Sequence, residues 1–538
     1  MADAITGVGL AHAASAAKKT ETAFVQLAFE VGNRVGEDEE RLRRDAHANL
    51  QAGRPGGLAA RTPLHWPLAF PEVLVDRSDP GFDAIIGNPP FSGGQMISGD
   101  SGDDYQKWLQ RWDGGGTKGS ADLAARFVLR AQRLLNSRGQ LGYVATNTLT
   151  QGKTLVVGMM QAIDRGFTIR GGRSSHQWPG RANLEIVEVW ASRAPVAAGG
   201  ELVLDGEPVP EIGPDLEPVG RVRGRPRPLR ENEDTAFIGS YVLGTGFTMT
   251  PDRAAELIHR DPHNAEALAP YVIGKDLNQR PDCSASRWIV NFRDWSLERA
   301  EQYPDLIDIV RRLVKPKRDR NKDRQRREYW WRFTRPAPEL YAAIADLDHV
   351  LALSRVSNAV LPVRVPTGPV LAEATVVFAL DGFADLAVLS SNVHATWVIR
   401  YTSTMRTGIR YAPNDVFRTL PRPENTPELT ELGKRLDAER RELMLGRGWG
   451  LTTTTTTTTY QHHVHNPADR DPAVVNLREI HTAIDHAVLD AYGWDLDPEI
   501  GHHPTKIGTR WTLSPRARFE LLDLLLEENH CRHDRERR

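Results

Sequence analysis

A short apolar run that ends in a proline-stiffened turn constrains this chain more than any other feature. Residues 82–87 read FDAIIG, and Asn88-Pro89-Pro90-Phe91 follows them directly. The apolar run and its terminal glycine predict a buried β-strand. The two prolines restrict the backbone of the turn, so its carbonyl groups point in fixed directions. In an open α/β sheet the carboxyl end of a strand is where ligands bind.

The groups in this turn suit a planar exocyclic amine. The lone pair of such an amine is delocalised into its ring, and two acceptors that hold its N–H groups would raise the electron density on nitrogen. The side-chain oxygen of Asn88 and the carbonyl of Pro89 are acceptors of this kind. Phe91 offers a ring on which an unstacked base can stack. The structural alternative is an ordinary surface turn stiffened by proline.

The residues after the turn predict an α/β sheet. The apolar spacing in residues 120–136 predicts a helix with Ser120 as its N-cap. Residues 140–146 and 184–190 predict the next two strands. Strand, helix and strand joined by short links are typical of α/β folds.

The 538 residues divide by composition into four predicted regions. The α/β pattern occupies residues 1–195. Residues 196–235 are rich in proline, glycine and charge, which predicts a linker. Residues 236–425 have the short apolar runs of an α+β domain. Residues 426–538 are predicted to be helical, because a capping residue precedes proline at Thr426-Pro427, Asp471-Pro472 and Ser514-Pro515.

The composition excludes several classes of protein. The net charge of −2, from 68 basic and 70 acidic residues, excludes a histone-like polycation. The two cysteines, Cys283 and Cys531, exclude a disulfide scaffold and fit a cytoplasmic location. No apolar run is long enough to predict a membrane helix. The eight threonines of 452–459 predict a flexible insert, and His462, His463 and His465 beyond them favour a solvated loop over a metal site.

A basic stretch followed by aromatic residues predicts contact with nucleic acid. Residues 311–327 contain ten basic and two acidic residues, and Tyr329, Trp330, Trp331 and Phe333 follow. Basic side chains neutralise phosphates and aromatic rings pack on sugars or bases. The predicted DNA contacts are Lys315, Lys317, Arg318, Arg320, Lys322, Arg324, Arg326, Arg327, Trp330, Arg355 and Arg406. Ser357, Asn358, Arg400, Ser403 and Arg410 are further candidate readers of bases or phosphates. The alternative is a solvated charged helix whose aromatic end faces the core.

In this order the motifs resemble the gamma-class N6-adenine DNA methyltransferases of restriction–modification and phage-defence systems, including those of the DISARM and BREX type. Asn88-Pro89-Pro90-Phe91 is similar to motif IV of that family. Residues 65–73, 140–148, 459–460, 466–467 and 487–494 also resemble its sequences, so the resemblance covers most of the chain.

The resemblance implies a fold, a reaction and a set of site residues. It implies a partial Rossmann-like methyltransferase sheet in 1–195, an α+β target-recognition domain in 236–425 and a helical C-terminal region. The reaction would transfer a methyl group from S-adenosylmethionine to an adenine flipped out of double-stranded DNA. Asn88, Pro89, Pro90 and Phe91 would be the catalytic residues, and other defence-system proteins would be partners.

The chain departs from this family ahead of Asn88. Enzymes of the family bind S-adenosylmethionine through a glycine-rich turn after their first strand. Gly7-Val8-Gly9 is the only Gly-x-Gly before Asn88, and no β-rich run precedes it. We therefore expect the chain to lack its N-terminal cofactor-binding half, which a second polypeptide supplies as a partner unless the gene is split or truncated. A DNA-recognition subunit without catalysis is one alternative, and methylation of RNA or of protein glutamine is another.

Overall fold

The computed structural model describes residues 1–34, 39–94, 96–117, 121–179, 184–196, 200–405, 408–453, 458–505 and 508–537. They form a mixed α/β structure with two compact units, residues 1–219 and 220–538. Among these residues no helix is both long enough and apolar enough to cross a membrane.

The first unit contains short helices around one sheet. Its helices are α1 (Ala2–Ala11), α2 (Ala17–Arg34), α3 (Glu39–Leu50), α4 (Trp66–Ala69), α5 (Pro71–Leu74), α6 (Ile97–Ser101), α7 (Asp103–Trp108), α8 (Leu123–Leu134), α9 (Gly152–Leu155) and α10 (Gln161–Asp164). Its strands are β1 (Phe82–Gly87), β2 (Leu135–Thr146), β3 (Thr168–Gln177), β4 (Glu185–Ser192), β5 (Leu202–Leu204) and β6 (Glu207–Val209).

The described strands of this unit form a sheet in the order β1-β2-β4-β3-β5-β6. β1 runs parallel to β2, and β2 and β3 run antiparallel to β4. Val128 and Leu129 of α8 share a buried cluster with Leu141 and Val189, so this helix covers one face of the sheet. This arrangement confirms the predicted α/β class.

The start of the predicted helix differs from the expectation. α8 begins at Leu123, and its N-cap is Asp122, whose side chain accepts a hydrogen bond from the N–H of Ala124 (2.9 Å). The predicted cap Ser120 lies outside the described residues. β2 follows α8 immediately, five residues earlier than the predicted strand, because Leu135 already pairs with Phe82 of β1.

The segment predicted as a linker contains a β-hairpin. β5 and β6 extend the sheet, and Leu202, Leu204 and Leu216 belong to its buried cluster. Asp205 (φ 57°) and Gly206 (φ 88°) form the turn between them, and positive φ at both positions is the conformation that hairpin turns favour. The linker prediction is therefore wrong for 202–209. The Asp-Gly pair between alternating apolar residues was the signal that could have shown it.

The second unit combines small sheets with longer helices. Its strands are β7 (Ala236–Ile238), β8 (Thr248–Met249), β9 (Leu268–Val272), β10 (Arg287–Val290), β11 (His349–Ser354), β12 (Val356–Ser357), β13 (Val363–Pro366), β14 (Val370–Leu371), β15 (Thr375–Phe378), β16 (Ser403–Met405), β17 (Gly408–Arg410), β18 (Gly501–Thr505) and β19 (Gly508–Thr512). Its helices are α11 (Pro251–Arg260), α12 (Gly274–Gln279), α13 (Leu297–Ala300), α14 (Pro304–Leu313), α15 (Lys315–Arg318), α16 (Arg324–Glu328), α17 (Pro338–Ala343), α18 (Phe383–Ser390), α19 (Asn392–Tyr401), α20 (Pro413–Val416), α21 (Pro427–Arg447), α22 (Tyr460–His465), α23 (Pro472–Tyr492) and α24 (Pro515–Glu536).

The described strands of this unit form sheets in the orders β14-β9-β10-β8, β13-β11-β15-β7, β12-β17-β16 and β18-β19. One buried cluster includes Leu353 and Phe378 from the strands and Leu436 and Ile484 from the long helices. The strand-rich and helical parts of this unit therefore share a core. The boundary predicted at residue 425 remains a prediction.

The three long helices begin where the sequence predicts. The side chains of Thr426, Asp471 and Ser514 each accept a hydrogen bond from a backbone N–H in the first turn of α21, α23 and α24. A proline follows each cap and needs no such partner, because it has no N–H. Local chemistry alone fixed these boundaries.

The threonine run is ordered at both of its ends. The N–H of Thr452 donates to the carbonyl of Asn278 (2.9 Å), and the Thr459 hydroxyl accepts from the N–H of His462 at the start of α22 (3.3 Å). Both threonines are buried. The prediction of a flexible insert is wrong for these ends, and residues 454–457 lie outside the described residues.

Candidate functional site

The Asn-Pro-Pro-Phe turn begins at the carboxyl end of β1, as predicted. Gly87 is the last residue of the strand and pairs with Tyr143 of β2. A Cβ atom at position 87 would lie 3.2 Å from Cε1 of Tyr143, so glycine allows this ring to pack directly against the base of the turn. Tyr143 is buried, and burial raises its pKa to about 12. The ring is therefore a neutral support for the turn.

The four residues of the turn differ in exposure. Pro89 is buried, whereas Asn88 and Pro90 are exposed and Phe91 is 41 % exposed. Within the described part of the chain the Asn88 side chain makes no hydrogen bond, so its oxygen and nitrogen are free to bind a ligand. Pro89 anchors the turn while the amide of Asn88 and the ring of Phe91 are accessible.

The chain after the turn is fastened to the start of α8. The carbonyl of Ser92 accepts from the N–H of Leu123 (3.1 Å), and its hydroxyl donates to Asp100 (3.4 Å). The N–H of the N-cap Asp122 donates in turn to the hydroxyl of Thr154 (3.1 Å). Burial raises the pKa of Asp122, against the opposing effect of hydrogen bonds from Ala124 and Ser92. These bonds fix Ser92, the residue directly after Phe91, and the start of α8.

The chain before the turn is fastened by aromatic packing. Residues 65–73 form the two short helices α4 and α5. The rings of Trp66 and Phe70 are stacked at 5.7 Å, and each meets the ring of Phe82 edge-on, at 5.8 and 5.5 Å. Phe82 is the first residue of β1, so this cluster fixes the strand that delivers Asn88.

The described residues of the first unit form no cradle for S-adenosylmethionine. Gly7 and Gly9 lie inside α1. A Cβ on Gly7 would lie 3.0 Å from the carbonyl oxygen of Ala46 and 3.0 Å from Cβ of Asn49, so this glycine serves the packing of α1 on α3. β1 lies at the edge of the sheet, and no described strand with a glycine turn precedes it there.

A cavity of about 520 Å³ opens on another part of the sheet. It is lined by Arg170, Gly171, Gly172, Arg173, Trp190, Val203, Asp205 and Gly206. The residues of the Asn-Pro-Pro-Phe turn do not line it. We therefore do not connect this cavity with the chemistry of the turn.

The basic stretch of the second unit is exposed over part of its length. Lys317, Arg320 and Lys322 are exposed, and within the described residues none of them forms an ion pair. Lys315 pairs with Asp319 (2.8 Å) and Arg324 with Glu328 (2.6 Å). Arg326 pairs with Asp323 (3.2 Å), and Arg327 donates to the carbonyl of Asn321 (2.6 Å). The three unpaired side chains are the strongest candidates for phosphate contacts.

Two residues predicted to contact DNA are buried within the second unit. Arg318 is buried and its Nη2 donates to the carbonyl of Val242 (2.9 Å). Burial lowers the pKa of this guanidinium. Trp330 is buried in a cluster with Trp331 and Phe333. The sequence does not separate these inward residues from their neighbours, because the stretch folds into short helical turns in which adjacent side chains point in different directions.

A second basic group lies where β11, β12 and β17 meet. Arg355 is half-buried, and its Nε is buried without a hydrogen-bond partner. Burial lowers the pKa of the Arg355 guanidinium. The positive charge of the nearby Arg410 lowers this pKa further, whereas the negative charge of Glu373 raises it. Arg335 and Glu373, which we did not single out from the sequence, belong to the same group. The predicted residue Arg406 lies outside the described residues.

The sequences of both units match models of known families. Residues 23–160 match the Eco57I restriction-modification methylase family. Residues 220–424 match the MmeI target recognition domain family. The chain therefore contains one region similar to restriction-modification methylases and one similar to target recognition domains. No curated protein matches it.

One solved structure has a similar fold, and two others show weaker similarity. The Type IIL restriction-modification enzyme MmeI in complex with DNA is 16 % identical with a TM-score of 0.59, over 84 % of this chain and 57 % of that chain. The type IIG restriction endonuclease BpuSI is 12 % identical with a TM-score of 0.31, over 76 % and 54 %. A Listeria monocytogenes protein described as a class I S-adenosylmethionine-dependent methyltransferase is 15 % identical with a TM-score of 0.18, over 23 % and 36 %. The chain thus spans 57 % of the length of MmeI, and the likeness to MmeI concerns the fold alone.

Proposed function

We propose that the chain is the base-handling and target-recognition part of a gamma-class DNA adenine-N6 methyltransferase that marks host DNA in a defence system. The observation that carries this proposal is the exposed, unpaired amide of Asn88 at the carboxyl end of β1. It lies within the region that matches the methylase family, and the region that matches the target recognition domain follows it. The cofactor of such an enzyme is S-adenosylmethionine.

The turn would act on an adenine that has left the duplex. The Asn88 side-chain oxygen and the Pro89 carbonyl would accept the two N–H bonds of the N6 amine. This grip favours a more tetrahedral nitrogen with its lone pair available for reaction. Phe91 would stack on the base and stabilise its flipped position. The described residues form no cradle for S-adenosylmethionine, so in this proposal the cofactor-binding half lies outside them, and the polypeptide encoded next to the chain is the candidate tested for it.

The test is methyl transfer to mixed-sequence duplex DNA with labelled S-adenosylmethionine, followed by digestion to nucleosides. The purified chain is assayed alone and together with the polypeptide encoded next to it. We expect labelled N6-methyl-2′-deoxyadenosine only when the cofactor-binding half is present. Label on cytosine, or on RNA or protein offered in place of DNA, would contradict the proposal.

The variant Asn88→Ala tests the role of the turn. Removing one preorganised hydrogen-bond partner of the reacting group should lower transfer at least about 100-fold. Affinity for DNA should change less than about twofold, since target recognition belongs to residues 220–424. Gln140→Ala is the matched control, because Gln140 is an exposed amide on the neighbouring strand β2. Loss of DNA binding in Asn88→Ala, or equal loss of transfer in both variants, would count against the assigned role.

A DNA-recognition subunit without catalysis is the second candidate function. It is favoured by the position of Gly7 and Gly9 in helix packing, which leaves the described residues without a cofactor turn. Sequence-selective binding with no transfer, even when the neighbouring polypeptide is present, would establish this function instead.

A further inference from the structure

Four charged residues of the second unit are linked through backbone hydrogen bonds. The N–H of Arg355 donates to the carbonyl of Ala374 (2.8 Å), and the N–H of Glu373 donates to that of Ser240 (2.9 Å). The N–H of Tyr241 donates to the carbonyl of Arg335 (2.8 Å). Arg410 on β17 pairs with Val356, the residue after Arg355. Arg335, Arg355, Glu373 and Arg410, which we call the Arg–Glu cluster, thus sit on backbone that is fixed at several points.

The arginines of the Arg–Glu cluster have no ionic partner of their own. Elsewhere in the same unit, Arg422 pairs with Asp385 (3.2 Å) and Arg532 with Glu528 (2.6 Å). Among the described residues no ion pair within 4 Å involves Arg335, Arg355 or Arg410. The Nε of Arg355 is buried without a hydrogen-bond partner, which fixes the base of this guanidinium inside the fold. The unused donors of this cluster therefore point to an external ligand.

Glu373 distinguishes between two kinds of ligand. A set of arginines alone would suit the phosphate backbone. A carboxylate beside them repels phosphate, and the side chain of Glu373 makes no hydrogen bond or ion pair within the described residues. A guanine·cytosine pair offers the complementary groups in its major groove: O6 and N7 of guanine accept from arginine, and the N4 amine of cytosine donates to a carboxylate.

We propose that the Arg–Glu cluster reads one guanine·cytosine pair of the target sequence. Arg355, supported by Arg410, donates to the edge of the guanine, and Glu373 accepts from the amine of the cytosine. Arg335, whose guanidinium lies 5.1 Å above the ring of Tyr241, borders the same group. This inference rests on the proposed function, because it requires that the second unit recognises DNA.

The test is selection of bound sequences from a library of randomised duplex DNA. It uses the full chain, together with the neighbouring polypeptide if wild-type binding requires it. We expect the wild-type consensus to include a guanine·cytosine pair whose preference falls about tenfold in Arg355→Ala, with the other positions unchanged. Glu373→Gln should relax or shift the preference at the same position. Arg253→Ala and Glu431→Gln, on exposed helix faces of the same unit, should leave the consensus intact.

Two outcomes would overturn this inference, and a third would overturn the proposed function on which it rests. If Arg355→Ala weakened binding equally for all DNA sequences and reduced its salt dependence, the Arg–Glu cluster would contact the phosphate backbone and not a base pair. An unchanged consensus in both variants would remove it from recognition altogether. Glu373→Gln keeps the test decisive if Arg355→Ala does not fold. A wild-type protein that binds no DNA would contradict the proposed function itself.

Discussion

At the scale of the residue, the charge of a side chain says little about its role until its surroundings are known. Lys317 and Arg318 are neighbours in one basic stretch, and we predicted both as DNA contacts. The structure leaves Lys317 exposed and buries Arg318 on the carbonyl of Val242. Burial is a property of the tertiary fold, so no local pattern could have separated the two.

This pair gives a prediction with its own control. Arg318→Ala should lower the free energy of unfolding by about 1–3 kcal/mol, because it leaves a buried carbonyl without a partner. Lys317→Ala should leave stability within about 0.5 kcal/mol and reduce the slope of log affinity against log salt by about 1. Urea unfolding and DNA titration at several salt concentrations measure both effects. If Lys317→Ala lowered stability and Arg318→Ala lowered only the salt dependence of DNA binding, the roles given to the two residues would be wrong.

At the scale of the element, local chemistry predicted some boundaries and missed others. The bounds of the strand at 82–87 and the proline-preceded starts of α21, α23 and α24 could be read from the sequence, because their caps and turns involve adjacent residues. The prediction that this strand is buried is wrong, because β1 is at the edge of the described sheet and Ile86 is exposed. The hairpin of β5 and β6 was missed although its Asp205-Gly206 turn was visible. The sequence singled out Arg355 and Arg410 of the Arg–Glu cluster but not Arg335 and Glu373, since separate strands and loops bring these two residues to the group.

The junction of α19 and α23 predicts a dependence of stability on pH. Asp485 is fully buried and accepts from the backbone N–H and the side-chain amide of Asn392 (2.7 Å each). Burial raises its pKa from 3.8 to about 7, against the opposing effect of these hydrogen bonds. The folded state then holds a proton that the unfolded state has lost, so this carboxyl contributes stability that declines as pH rises from about 4 to about 7.

Asp485→Asn tests this dependence, because asparagine does not titrate. The wild type should lose stability relative to the variant as pH rises across that range, as measured by urea unfolding at pH 4, 5.5 and 7. The histidines are the same in both proteins, so their contributions cancel in the difference between the two free energies of unfolding. Asp490→Asn, at an exposed position of the same helix, should show no such trend. If the difference in the free energy of unfolding between the wild type and Asp485→Asn stayed constant from pH 4 to pH 7, the raised pKa of Asp485 would be contradicted.

At the scale of the whole molecule, the two units have different proposed functions, one in methyl transfer and one in target recognition. The first matches a methylase family and presents Asn88 and Phe91 at the carboxyl end of β1, and the second matches a target recognition domain family. The predicted mixed α/β fold is confirmed, whereas the roles of the site residues remain proposals. The position of the turn could be predicted because its residues are contiguous in the sequence.

The most direct test of the central claim reads the modified base in cells. The chain and the polypeptide encoded next to it are expressed in a host without DNA methylation, and the genomic DNA is sequenced by a method that detects N6-methyladenine. We predict modification of adenine at a single recognition sequence, lost in Asn88→Ala and retained in Gln140→Ala. Unmodified DNA, or modification that persists in Asn88→Ala, would contradict the account.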